Sequence, residues 1–139
     1  MSQLTLNRIL LSCLSVLLIS ASFGADEAGD TSDLVFVEIT PEFITNYDGG
    51  GRLKYLKTAV TLRVQFAVED DVRHHLPYIR YKLVMLFTSQ LEEDLTSTEG
   101  KDRLRRLALA EVRNALETLE GTNPETIVNL YFPSFVIQQ

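Results

Sequence analysis

Residues Tyr55 to Val68 read Tyr-Leu-Lys-Thr-Ala-Val-Thr-Leu-Arg-Val-Gln-Phe-Ala-Val. Leu56, Thr58, Val60, Leu62, Val64, Phe66 and Val68 fall on every second position, and the residues between them are mostly polar or small. Successive side chains of a β-strand point to opposite faces, so this alternation predicts one long strand with a core face and a wet face. At about 3.3 Å per residue the run would span roughly 46 Å, long enough to call for a bend or bulge. Its register is firmly set, because a one-residue slip would expose Leu62, Val64 and Phe66 at about 1.5 to 3 kcal/mol each.

Working backwards, Asp48-Gly49-Gly50-Gly51 can take the positive φ angles of a chain reversal. Before it, Leu34-Val35-Phe36-Val37-Glu38-Ile39 forms a first strand, which Pro41 interrupts for want of an amide donor and which resumes at Phe43-Ile44. The two strands should make a hairpin, with the first at an edge. The small, acidic residues 25–33 have nothing to bury and read as a flexible linker.

Working forwards, Glu69-Asp70-Asp71 ends the long strand, and Leu76, Ile79, Leu83, Leu86, Phe87 and Leu91 recur at helical spacing. Pro77 suits a first turn, which predicts a helix from about Pro77 to Gln90. Thr96-Ser97-Thr98-Glu99 matches a capping box, with Thr96 as the cap and Glu99 reaching back. The helix that follows has an apolar stripe of Leu104, Leu107, Ala108, Val112, Ala115, Leu116 and Leu119, and stops at Gly121 and Pro124. The last segment, Ile127 to Ile137, is β-prone and apolar on both faces. The architecture implied is α+β: a three-stranded, mainly antiparallel sheet backed by two helices.

The amino terminus carries Arg8, an apolar run from Ile9 to Ile19, and small residues to Ala25. That order is an export signal, and 17 residues from Ile9 to Ala25 fall short of the roughly 20 that a membrane-spanning helix wants. Residues 1–24 are therefore a signal cleaved after Gly24 or a short retained anchor, residues 25–33 the linker and 34–139 the exported domain. Cys13 is the only cysteine and lies in the leader, which leaves the domain without a thiol for disulfide, metal or nucleophile chemistry. A lipoprotein reading of Cys13 fails because the apolar run continues past it.

Composition restricts function further. With a net charge of −6, the chain lacks the clustered cations that nucleic acid requires. Asp70, Asp71, His74 and His75 could suggest zinc, but adjacent histidines do not share a helix face and no other histidine exists to complete a site. The same pair is the only imidazole available to a triad, and no serine sits in a Gly-x-Ser-x-Gly elbow. Glu92-Glu93-Asp94 reads as a solvated acidic run, and glycines 49–51 as turn residues rather than a phosphate cradle. No catalytic residue, cofactor or metal ligand is assigned, and an enzyme is disfavoured. Arg103, Arg105 and Arg106 form a basic patch that either pairs with Glu99 or Glu111 or meets an acidic partner surface.

Four words stand in order along this frame: Tyr55-Leu56-Lys57 opening the long strand, Pro77-Tyr78-Ile79-Arg80 opening the first helix, Thr96 to Lys101 before the second, and Tyr131 to Gln138 at the end. Together they resemble the flagellar basal body-associated FliL family over roughly Val35 to Gln139. The positions carrying the resemblance are Tyr55, Pro77, Ile79, Arg80, Thr96, Glu99, Gly100, Lys101, Phe132 and Phe135. Tyr81 stands where the family usually has an acid and Pro133 where it has a small polar residue, and the leader is shorter than the family's usual membrane helix. The resemblance implies a stomatin/prohibitin-like fold at the periplasmic face of the inner membrane, assembling as a homo-oligomeric ring around flagellar stator units and supporting rotation, swimming or swarming, and chemotaxis. The alternative is an envelope scaffold of the same fold with no flagellar role. A ring would also cover the spare apolar face of the last segment, which makes Phe135 a candidate for self-association, against a plain core role.

Overall fold

A computed structural model describes residues 33–48 and 50–138. The leader and all but the last residue of the linker lie outside the described residues. Four strands and four helices follow one another as β1 (Leu34–Asp48), β2 (Leu53–Gln65), α1 (Glu69–His74), α2 (Leu76–Thr88), α3 (Glu92–Thr96), α4 (Thr98–Glu120), β3 (Ile127–Tyr131) and β4 (Phe135–Gln138).

β2 is the central row of the sheet, as its alternation implies. β1 pairs antiparallel along one side of it, from Leu34 opposite Gln65 to Asp48 opposite Leu53. The reversal between them places Gly50 and Gly51 at φ of 70° and 92°, the left-handed region that other residues enter only at a cost. Register breaks between Ile39 and Phe43, where three residues of β1 face Ala59 alone, so Pro41 sits in a bulge and asks nothing of the ladder. On the other side of β2 run β3, opposite Thr61 to Val64, and β4, opposite Tyr55 to Thr58.

The expected three strands are thus four. What reads as one final strand is broken at Phe132-Pro133-Ser134, because Pro133 has no amide hydrogen. The gap is closed differently: the Ser134 carbonyl accepts both the Ala59 amide at 3.0 Å and the Thr58 hydroxyl at 2.8 Å. That bond satisfies Thr58, a hydroxyl fully buried on the inner face.

The helices lie on one face of the sheet. Val37, Leu62 and Leu130, one from each of β1, β2 and β3, form a fully buried row under them. Ile79, Leu83 and Phe87 of α2 and Leu104, Ala108, Val112, Ala115 and Leu116 of α4 complete the core. Leu107 and Leu119, placed on the stripe by spacing, are exposed, as is Leu91 beyond α2. β2 also ends earlier than its alternation suggests. Phe66–Val68 is a 3-10 turn, in which side chains rotate by about 120° per residue, so Phe66 swings out to 65% exposure while Val68 still reaches the core.

The two expected helices are four because two acidic runs taken for loops are helix starts. Glu69, Asp70 and Asp71 occupy the first turn of α1, and Glu92, Glu93 and Asp94 that of α3, where carboxylates complement free amides. Each short helix is pinned by one fully buried residue, Val72 or Leu95. The cap of α4 moves with them. Thr96 is the last residue of α3, where its hydroxyl donates to the Glu92 carbonyl at 2.9 Å, and Ser97 is the cap, accepting the Gly100 amide at 3.0 Å. At the other end Gly121, at φ of 66°, terminates α4 as its position predicts.

Candidate functional site

α2, β1, the β3–β4 junction and the first turns of α4 converge at one end of the core. Arg80, one turn into α2, faces β1 and donates from Nη1 to the Pro41 carbonyl at 2.6 Å, which places its guanidinium 4.4 Å over the Phe43 ring. Phe43 meets Phe87 edge-on at 5.2 Å, Phe87 meets Phe132 at 6.0 Å, and Phe132 meets Phe135 at 5.4 Å. Lys101 closes the series with its ammonium 5.3 Å from the Phe135 ring. The result is a chain of four aromatic rings with a cation at each end, in which each ring pair contributes about 0.5 to 1.5 kcal/mol beyond its buried area and each cation about 0.5 to 1.

Of the positions singled out by sequence, Arg80, Lys101, Phe132 and Phe135 are brought together here. Pro77 and Ile79 lie in the first turn of α2, Pro77 exposed and Ile79 fully buried. Gly100 has a different role: it is where α4 crosses α3, and a Cβ on it would stand 2.1 Å from the Asp94 carbonyl oxygen. Tyr55, Thr96 and Glu99 stand apart from the aromatic chain, Tyr55 on the far face of the sheet and Thr96 and Glu99 exposed near the α3–α4 junction. Phe43 and Phe87, which link the motif residues, carry no sequence signal beyond ordinary periodicity. Phe135 faces inward beside Thr58 and is half-buried against Phe132.

The basic patch extends from this site along α4. Its partners differ from those that spacing suggests: Arg103 pairs with Asp94 of α3, while Arg105 and Arg106 share Asp102 rather than pairing with Glu99 or Glu111. Arg105 also donates to Asn129 Oδ1 at 2.7 Å, and Arg113 donates from Nε to the Ile127 carbonyl at 2.9 Å. Hydrogen bonding from Arg105 holds the Asp102 carboxyl below its ordinary value of 3.8, desolvation opposes this, and the charge of Arg106 adds to it. Elsewhere, Lys54 and Glu92 form an ion pair at 2.6 Å that fastens α3 to β2.

His74 and His75 stack edge-on at 4.7 Å at the end of α1, and His75 hydrogen-bonds Glu120 at the end of α4. Among the described residues no group of three or more His, Cys, Asp or Glu is placed to hold a metal ion. The arrangement offers aromatic rings and fixed cations, which are means of binding.

Residues 36–138 match the family described as flagellar basal body-associated protein FliL. The chain belongs to that family. A flagellar protein FliL from Aquifex aeolicus (strain VF5) is 27% identical over 105 residues, covering 75% of this chain and 62% of the relative's length. The match spans all four strands but the first two residues of β1, and all four helices, so the aromatic chain and its flanking cations belong to the FliL domain itself. By that description, FliL proteins are associated with the flagellar basal body. Among the described residues, no helix is long and apolar enough to cross a membrane.

Proposed function

We propose that this FliL domain is a non-enzymatic accessory of the flagellar motor, held at the periplasmic face of the inner membrane, where several copies assemble around the stator units and support rotation, swimming or swarming, and chemotaxis. The observation that carries the assembly is the sheet's second face. Among the described residues, helices cover only one side, and the other presents Phe36 and Ile44, 62% and 68% exposed, with Val136, Tyr55 and Tyr131. Phe36 and Tyr131 stand 6.3 Å apart across β2 and form an apolar pair, while Lys57, paired with Glu42, lies between Ile44 and Val136. Exposed large apolar side chains on a sheet face mark an interaction surface, and further copies of the chain are the cover that fits a motor-associated assembly. Phe135 lies on the opposite, helix-covered face, so its share in assembly is a contact at the rim, through the part of its ring left uncovered.

The test uses the full chain with a fluorescent tag. Wild type should gather at flagellar bases, and Ile44→Glu with Val136→Glu, both on exposed positions, should fold normally yet sediment as smaller species, leave the bases and slow swimming. Phe135→Ala should weaken the same assembly while unfolding cooperatively. Folded variants that sediment and localise like wild type would overturn the assembly. A wild-type protein spread evenly through the envelope, with swimming unaffected by its loss, would return the domain to a general envelope scaffold.

A further inference from the structure

Two depressions run along α4 beside the sheet edge and meet at Arg105, which lines both. One, of about 570 Å³, lies between α4 and β3 over Leu109 and Val128; the other, of about 350 Å³, continues over Phe132, Pro133 and Phe135. Their walls carry four cations, Lys101, Arg105, Arg106 and Arg113, against two carboxylates, Asp102 and Glu117. Five of the domain's twelve basic residues lie between Lys101 and Arg113, in a chain whose net charge is −6. Four of these, all but Arg103, line one apolar groove of an acidic protein.

We propose that this groove binds an acidic, apolar-containing peptide segment of a partner protein. Charge complementarity selects the occupant: one carboxylate, Asp102, is divided between Arg105 and Arg106, so an incoming acid meets guanidinium groups held in place but incompletely neutralised. The Lys101 ammonium lies over the Phe135 ring and makes no ion pair among the described residues. The apolar floor adds a requirement for leucine-like or aromatic side chains between the acids.

The mode of binding follows from the edge of β3. Asn129 Oδ1 accepts the Leu130 amide at 2.9 Å, and Arg113 donates to the Ile127 carbonyl at 2.9 Å, so backbone groups that an added strand would use are already taken. The segment docks by its side chains and does not extend the sheet. From Lys101 to Arg113 the groove follows roughly 18 Å of α4, which about six extended residues would span.

This inference rests on the reading that the domain works by binding other proteins, and its test is separate from the motor. A fluorescein-labelled peptide of alternating glutamate and leucine, about eight residues long, is titrated against the full chain in detergent micelles. Binding should weaken with added salt, and a lysine-leucine peptide and a glutamate-only peptide should bind much less. Arg105→Glu with Arg106→Glu should lower affinity by about tenfold or more, whereas Arg52→Glu with Arg73→Glu, the same charge change elsewhere, should alter it less than about twofold. Lys101→Gln with Arg106→Gln, milder at exposed or half-exposed positions, should give an intermediate loss and covers the case in which the double reversal fails to fold. Equal losses from both double reversals, or no binding at low salt, would overturn the groove while leaving flagellar localisation untouched. Binding only after Asp26, Glu27 and Asp30 are neutralised would overturn it in favour of the chain's own acidic stretch.

Discussion

Replacing Gly100 by alanine sets two effects of opposite sign against each other. In an open helix the change is favourable by about 1 kcal/mol, because glycine loses more backbone freedom and alanine is the better helix former. Gly100 is not in the open. A Cβ there would lie 2.1 Å from the Asp94 carbonyl oxygen and 2.7 Å from that residue's carbonyl carbon and Cα. Unstrained carbon contacts are about 3.5 Å, so α3 and α4 would have to separate by on the order of 1 Å. The obstacle is backbone and cannot turn aside as a side chain would. Overpacking of this kind costs about 1 to 3 kcal/mol and occasionally more, and the separation would also strain the Arg103–Asp94 and Lys54–Glu92 pairs that tie α3 down. The clash should win, leaving Gly100→Ala net destabilised by up to about 2 kcal/mol. At a urea dependence of about 1 to 3 kcal/mol per molar, the unfolding midpoint should fall by about 1 M. A midpoint equal to or above that of wild type would show that the helices do not cross as closely as described.

Val64→Asp and Gln65→Asp separate the two faces of β2. Val64 is fully buried and Gln65 exposed, so the first should cost several kcal/mol and the second well under one; similar urea midpoints would contradict the assigned register. The Asp102 carboxyl should titrate below 3.8 by NMR, with Arg105→Gln moving it back toward that value. Because its folded pKa is depressed, its contribution to stability is fully present above 3.8 and lost as pH falls through the lower folded value, and a midpoint above 3.8 would contradict the Arg105 contact.

Much of the fold is written locally. The alternation from Leu56 to Val64, the glycines after Asp48, the interruption at Pro41 and the stop at Gly121 each express a backbone or side-chain preference that acts within a few residues, and the structure uses all of them. The resemblance to FliL is legible in the same way, as short words in a fixed order. Reading failed where two local meanings competed. Glu69-Asp70-Asp71 and Glu92-Glu93-Asp94 suit a solvated loop or a helix start equally well, and buried Val72 and Leu95 decide for the helix. Thr96 and Ser97 can each cap α4, and the choice falls to Ser97 once α3 claims Thr96. Phe66 continues the alternation but not the strand. The candidate site depends still more on the third dimension. Arg80, Lys101, Phe132 and Phe135 are separated by up to 55 residues and meet only because β1 and α2 bring Phe43 and Phe87 between them. Sequence determines which residues prefer a strand, a turn or a helix, since those preferences are local; which rings touch, which cations share one carboxylate and which face of the sheet is left bare are decided by packing, since they depend on elements distant in the chain.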